Sequence, residues 1–277
     1  MVLMADLAKK IREPLVDGLF YPDDAAELRA ACAGYETACA GVRGKAFVIV
    51  TPHAAYEKCG SLMAEAFLSA AERKIRTVVL LGPVHRDFTD QIILPEPQVF
   101  SIPGGTFRLE EKSIETLLSC GTRFSRNDIP HLEEHCLEVQ LPFVLRYFPE
   151  AKIVPVLLGR DTAANIKSLG KGLYVSFAEQ FSSTLFVVTT NLCESTSAGK
   201  ARAEAEAIIA LAEKKDSAAL IEGKLKKQFT ACGIGCLAAV LGFPDTGALR
   251  VLGRAKSLSD PTENKYVEYA AMALEAT

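Results

Sequence analysis

Four short apolar runs stand out along the chain, at residues 45–50, 76–82, 152–159 and 184–190. Each is rich in Val, Ile and Leu and none alternates with polar residues, the pattern of strands buried on both faces of a parallel sheet. Helical spacing fills the intervals. Asp23 or Asp24 can cap a helix running to about Cys39, with Phe20 before it as a staple, and Ser61 can cap another over 61–73. Further helices are expected near 110–120, over 162–181 and over 197–213, with a short one from Asp216 and a buried one in ACGIGCLAAVLG. Leu137, Leu141, Val144, Leu145 and Phe148 also recur at helical spacing, with Pro142 kinking that helix or marking its start.

Other stretches read differently. Residues 4–11 suggest a short helix stopped by Pro14. Between 86 and 110, four apolar pieces broken by Pro and Gly predict short antiparallel strands or an extended excursion. ALRVLGRAKS and YVEYAAMAL read as two strands pairing at an edge. Strand and helix alternate almost end to end, with no Ser/Gly linker, repeat or low-complexity segment. The expectation is one α/β domain over 1–277, with a central mixed, mostly parallel sheet flanked by helices on both faces. Residues 45–82 would form a right-handed βαβ unit.

Composition narrows the function classes. Hydrophobic residues make up 49% of the 277 positions and charged residues 23%, enough for a substantial core. Lys and Arg total 31 against 34 Asp and Glu, a net charge of -3, which offers no electrostatic footprint for nucleic acid. No apolar run approaches a membrane span, and MVLMADLAKKIREP lacks the order of a secretory signal. The eight cysteines form no CxxC pair, so they read as reduced thiols of a cytoplasmic protein. There is no GxGxxG, P-loop or GxSxG, so no nucleotide cofactor is expected.

Chemistry gathers at the strand ends. The first two apolar runs close on a proline and then a histidine, His53 in TPH and His85 in GPVH. In open α/β sheets, ligands bind beyond the carboxyl ends of the strands, so the two imidazoles can share one pocket. A lone strand-end histidine is more often a satisfied loop residue; the repetition is what argues for a site. Asn191, Cys193 and Glu194 follow the fourth run, and Cys232 opens the late small-residue helix, where a thiolate is favoured. Two imidazoles with a third thiolate or carboxylate would suit a first-row metal with open positions, and Cys232 is a candidate for the third. In HLEEHCLEVQLP, His131 and His135 are four apart, as are Glu134 and Glu138. HxxEH is the inverted zincin order, against which stand the following Pro142 and the lack of a third ligand downstream.

REPLVDGLFYP, TPHAAYEKCG, LLGPVH, EEHCLEVQLPF, IVPVLLG, VVTTNLCE, ACGIG and VEYAA occur in this order over the whole chain. Together they resemble the Memo family, whose prokaryotic members are called AmmeMemoRadiSam system protein B. The resemblance implies a fold like the class III extradiol dioxygenases, in which non-haem Fe(II) activates O₂ beside a catechol. It implies His53, His85 and Cys232 as metal ligands, with iron or copper, or else zinc, as the cofactor. Glu134, His135 and Glu194 would be the catalytic or outer groups. Two family positions differ: the Asp and His of SSDFSH are Asn191 and Glu194 here. Those losses favour the alternative of a non-catalytic adaptor that takes a peptide or small molecule in the same vestibule. A eukaryotic relative is a signalling adaptor for phosphotyrosine peptides. The family name further implies a radical-SAM partner and an AMMECR1-like partner, although the chain has no CxxxCxxC of its own.

Overall fold

The computed structural model describes residues 10–37, 39, 43–86, 89–96, 98–244, 246–260 and 265–276. The four apolar runs form the parallel centre of a nine-stranded sheet: β2 (Val48–Thr51), β3 (Thr77–Pro83), β8 (Lys152–Leu158) and β9 (Thr184–Thr189). Their order is β2-β9-β3-β8, so the βαβ unit made with α2 (Tyr56–Leu68) has β9 inserted between its strands. All seven residues of β3 are buried, which is why the run carries no polar alternation.

The continuous parallel run ends at the edges of this centre, where antiparallel pairs take over. Beyond β8 lies β4 (Ile92–Leu94), antiparallel to it, and then β7 (Phe124–Arg126), parallel to β4. At the other side β12 (Lys265–Ala276) is antiparallel to β2 along its second half and to β10 (Cys193–Ser195) along its first. Its opposite edge pairs with β11 (Thr246–Asp260). The tail is therefore not a mere edge pair, because β12 joins the main sheet. The buried Ala270, Ala271 and Ala273 leave little side-chain bulk between it and its neighbours. A small second sheet unites β1 (Ile11–Arg12), β5 (Val99–Ile102) and β6 (Gly105–Arg108), the antiparallel excursion expected for 86–110.

Helices flank the sheet in two packed groups. One contains α1 (Ala25–Thr37), α2 and α5 (Leu141–Tyr147). The other contains α3 (Glu111–Ser119), α6 (Ala163–Phe177), α7 (Ala198–Glu213), α8 (Ser217–Leu225) and α9 (Ile234–Leu241). Asp24, Thr162, Ser197 and Asp216 cap α1, α6, α7 and α8 through side-chain oxygens. None of these helices is long and apolar enough to cross a membrane, among the described residues.

Three local expectations are corrected. The 4–11 helix lies mostly outside the described residues, and Ile11 and Arg12 are strand. α2 starts at Tyr56, not Ser61; its first N–H is taken by the Phe20 carbonyl at 2.9 Å, a cap supplied from a distant loop. Of the two alternatives at Pro142 the start of a helix is the one found, but Glu134 and Glu138 do not share a helical face. α4 (Asp128–Glu133) ends at Glu134, whose backbone is extended, and α5 begins only after a 3₁₀ turn at 138–140, with Pro142 in its first turn.

His131, on α4, is buried and its Nε2 meets the Ile93 carbonyl at 3.2 Å. Burial holds its pKa down to about 3. That is below the unfolded value of about 6.5, so its contribution to stability is complete above pH 6.5 and is lost as pH falls towards 3. Between pH 7 and pH 5 this single group should remove about 2 kcal/mol of unfolding free energy. Urea unfolding at the two pH values checks it: His131→Gln, which keeps a donor for Ile93, is expected to lose about 2 kcal/mol less than wild type on acidification.

Candidate metal centre

The carboxyl ends of β2, β3 and β9 and the approach to α9 meet at one point. His53 follows β2, His85 follows β3, Asn191 follows β9 and Cys232 precedes α9. The ligand atoms of His53, His85 and Cys232 all lie within 4.8 Å of one another. The Cys232 Sγ is 3.2 Å from the His53 Nε2. Donors bound to one tetrahedral metal at about 2.0 Å for nitrogen and 2.3 Å for sulfur lie about 3.5 Å apart, so this spacing fits a shared ion.

Each donor is aimed by a neighbour. The His53 Nδ1 is 2.8 Å from the Thr189 hydroxyl, which turns Nε2 towards the cluster. Gln140 donates to that hydroxyl at 3.1 Å and to the Pro52 carbonyl at 2.9 Å, tying the loop before His53 to the 3₁₀ turn. The His85 Nδ1 lies 3.0 Å from both oxygens of Glu134, leaving its Nε2 for the centre. The Glu134 carboxylate also accepts the backbone N–H groups of His85 and Cys136, at 2.9 and 3.0 Å. Those bonds account for the extended backbone at Glu134: a continuing helix would carry the carboxylate away from its donors.

Cys232 is set by close packing. Gly233 precedes α9 and donates to the Thr190 hydroxyl at 2.9 Å. A Cβ on Gly233 would fall 2.4 Å from the Thr189 carbonyl oxygen, so only glycine lets this turn sit against the end of β9. Cys232 lies before α9, not at its first residue as expected from the sequence, and its thiolate has other partners. The Asn191 N–H donates to it at 3.3 Å, and the two imidazoles lie beside it. Burial alone would raise the Cys232 pKa; the charge and hydrogen bond of His53, then those of His85, outweigh it and bring it well below the thiol range. Burial also opposes protonation of His85, but the hydrogen bonds and charges of Cys232 and Glu134 win and raise it. The Glu134 carboxylate, buried yet bonded to His85, is correspondingly held down.

The other expected site residues divide. His135 belongs to the cluster's rim: its ring stacks on His85 at 5.4 Å and meets the edge of Phe20 at 5.0 Å, with Nδ1 3.3 Å from Glu134. Burial, then the neighbouring His53 charge, lowers its pKa to about 4, so it is a neutral imidazole at neutral pH. Asn191 uses its side-chain oxygen to accept the His53 N–H at 3.2 Å. An Asn there keeps the acceptor an Asp would offer and omits the negative charge. Glu194 lies outside the cluster, on the half-exposed β10, with its carboxylate 3.3 Å from Lys265. His131 faces Ile93 instead of the other histidines, so the HxxEH helix does not form a zinc site. Thr189 and Gln140 were not singled out from the sequence, although both lie in blocks quoted above; hydroxyl and amide side chains carry no pattern that distinguishes an aiming role from a buried polar one.

His85 is about a third exposed and opens the cluster to solvent. The cleft beside it, lined by Val84, Arg86, Pro130, Glu133 and Glu134, holds about 10 Å³, room for about one water molecule.

The fold is an α/β sheet whose carboxyl ends bring two imidazoles and a thiol together as a candidate metal-binding cluster. The sequence comparisons place the chain within a family. The family model described as Memo-like protein matches residues 12–272, and the chain belongs to that family. It is 30% identical over 264 residues to a MEMO1 family protein of Thermotoga maritima, covering 89% of this chain and 92% of the relative. A MEMO1 family protein of Aquifex aeolicus is 29% identical over 255 residues, 90% of each chain. One from Thermoplasma acidophilum is 24% identical over 263 residues, 95% of this chain and 97% of the relative.

Proposed function

We propose that this chain is a metal-dependent redox or oxygen-using protein, in a fold related to the class III extradiol dioxygenases. The convergence of His53, His85 and Cys232 within 4.8 Å carries the reading. Two imidazoles and a thiolate suit iron, copper or zinc, and a three-donor set leaves positions open to a substrate. A bound iron or copper would supply electron transfer or O₂ activation. The protein's own groups have separate tasks. Glu134 orients His85 and offsets its charge, as outer carboxylates do for metal-bound histidines. Neutral His135 stands at the rim, where its free nitrogen can accept or return a substrate proton. Phe20 excludes water from one side of that ring.

Metal analysis of protein purified without chelator tests this. About one equivalent of iron, copper or zinc per chain is expected, and none in His53→Ala. Metal-free wild-type protein that also fails to take up Fe(II), Cu(I) or Zn(II) in titration would overturn the reading.

A second reading, a binding module for a peptide, is favoured by one observation. Leu15, Leu19, Ile129 and Leu132 are exposed, with Leu19 at 77%, on the two segments next to Phe20 and Glu134. Patches of this kind mark interaction surfaces. Loss of peptide capture in Leu19→Ser with full metal content would support it, and oxygen consumption abolished by His85→Ala would count against it.

A further inference from the structure

A cavity that the metal centre leaves unused lies at the other end of the same strands. It holds about 490 Å³ and is lined by Lys45, Phe47, Arg73, Tyr174, Phe181 and Ser182, with Pro244 and Thr246 closing one side. Phe47 precedes β2, and Phe181 and Ser182 precede β9, whereas His53 and Asn191 follow those parallel strands. The cavity is therefore separate from the His–Cys cluster, and its volume falls in the range of small-molecule sites.

Its walls specify a ligand. Phe181 lies 5.8 Å from Phe47, 6.2 Å from Tyr174 and 5.4 Å from Phe243 between ring centroids, giving a continuous aromatic surface. The charged groups of the lining are both cationic. The Arg73 guanidinium is fixed by the Ala46 carbonyl at 3.0 Å and the Phe181 carbonyl at 2.7 Å. Two carbonyls occupy two of its five donors and offset none of its charge. No carboxylate pairs with Arg73 or Lys45 among the described residues. Burial with nothing to oppose it brings the Arg73 pKa down to about 10, still cationic at neutral pH. Lys215, outside the lining, donates to the carbonyl of Thr246 at 2.9 Å.

We infer that this cavity binds an organic monoanion, an aromatic body seated on Phe47, Tyr174 and Phe181 with its carboxylate between Arg73 and Lys45. A rigid guanidinium beside a mobile ammonium suits a carboxylate head, and the rings suit a flat apolar body through offset or edge contacts. A neutral molecule of the same shape would leave both cations without a counter-charge, so anion recognition separates this site from a generic apolar hollow.

The test is calorimetric titration of the full chain with 2-naphthoate as carboxylate probe and 2-naphthamide as its neutral counterpart. One binding site per chain is expected, with naphthamide at least tenfold weaker. Arg73→Gln also cuts two backbone anchors, so two exposed positions carry the decision. Lys45→Glu should weaken naphthoate at least fivefold, and Ser182→Trp, which fills the cavity, should abolish it. Both should keep wild-type melting and metal uptake, which sets this result apart from the fate of the His–Cys centre. No naphthoate binding at millimolar concentration, equal affinity for naphthamide, or affinity unchanged in both variants would each overturn the assignment.

Discussion

Replacing Glu138 by alanine is expected to destabilise the fold by about 3–5 kcal/mol, the usual cost of removing one partner of a buried ion pair. Glu138 and Arg12 are each only 1% exposed and meet at 2.7 Å. The Glu138 carboxylate also accepts the N–H groups of Leu15 and Val16 and the Tyr21 hydroxyl. Arg12 in turn donates to the carbonyls of His131 and Glu134 and lies over the Phe100 ring. The alanine variant leaves a buried guanidinium without its counter-charge and three buried donors without their acceptor. Arg12→Ala should cost a similar amount for the mirror-image reason, while the double variant should cost much less than the sum, because it leaves no unpaired charge. Urea unfolding of the cycle measures this, and strict additivity or single losses below about 1 kcal/mol would refute it. The consequence reaches the site: residues 12–21 hold Phe20 against His135, and the Phe20 carbonyl caps α2.

What the sequence revealed of the fold follows from which forces are local. The buried strands were legible because a strand covered on both faces has no polar positions to confuse its pattern. Side-chain caps at Asp24 and Asp216 were legible for the same reason: donor and acceptor lie within three residues. The start of α2 was not, because its cap is a carbonyl from Phe20, 36 residues away in the chain. The break at Glu134 was hidden in the same manner. Helical spacing from Leu137 onwards ran on into HLEEH, while the forces that end α4 are the Glu134 bonds to His85 and Cys136. Close packing also acts there: a Cβ on Gly82 would lie 2.5 Å from the Cys136 sulfur, so this turn sits directly on β3.

The site divides along the same line. His53 and His85 could be paired from the repeated strand endings alone, and Cys232 stood out as a thiol at the head of a small-residue helix. Glu194 shows the limit of carrying a position over. It stands where the family has a histidine, yet β10 pairs with β12 so that its carboxylate meets Lys265. The Asn191 change has a clearer physical meaning. It retains the bond to the His53 backbone and lowers the negative charge beside a thiolate. The three candidate donors then include one anionic group, a set that would suit softer ions better than hard, carboxylate-seeking ones.

Glu134→Gln should weaken metal binding by about 10–100-fold, the usual effect of losing an outer carboxylate on a histidine ligand. The carboxylate is buried, 4% exposed, and accepts from the His85 ring, the His85 N–H and the Cys136 N–H. An amide keeps one acceptor oxygen, but its NH₂ would face donors that need an acceptor. The His85 ring would lose the partner that holds its proton on Nδ1 and directs Nε2 to Cys232. Competition titration against a chelator of known affinity reads the change, with His85→Ala as the reference for complete loss of that ligand. The Cys232 thiolate should be retained in Glu134→Gln, because its nearest partners are His53 and the Asn191 N–H. Its absorbance near 240 nm therefore separates an aiming defect from collapse of the cluster. Metal affinity within threefold of wild type would show that Glu134 holds the backbone turn and nothing more; weakened affinity with the thiolate signal intact assigns it the orientation of His85.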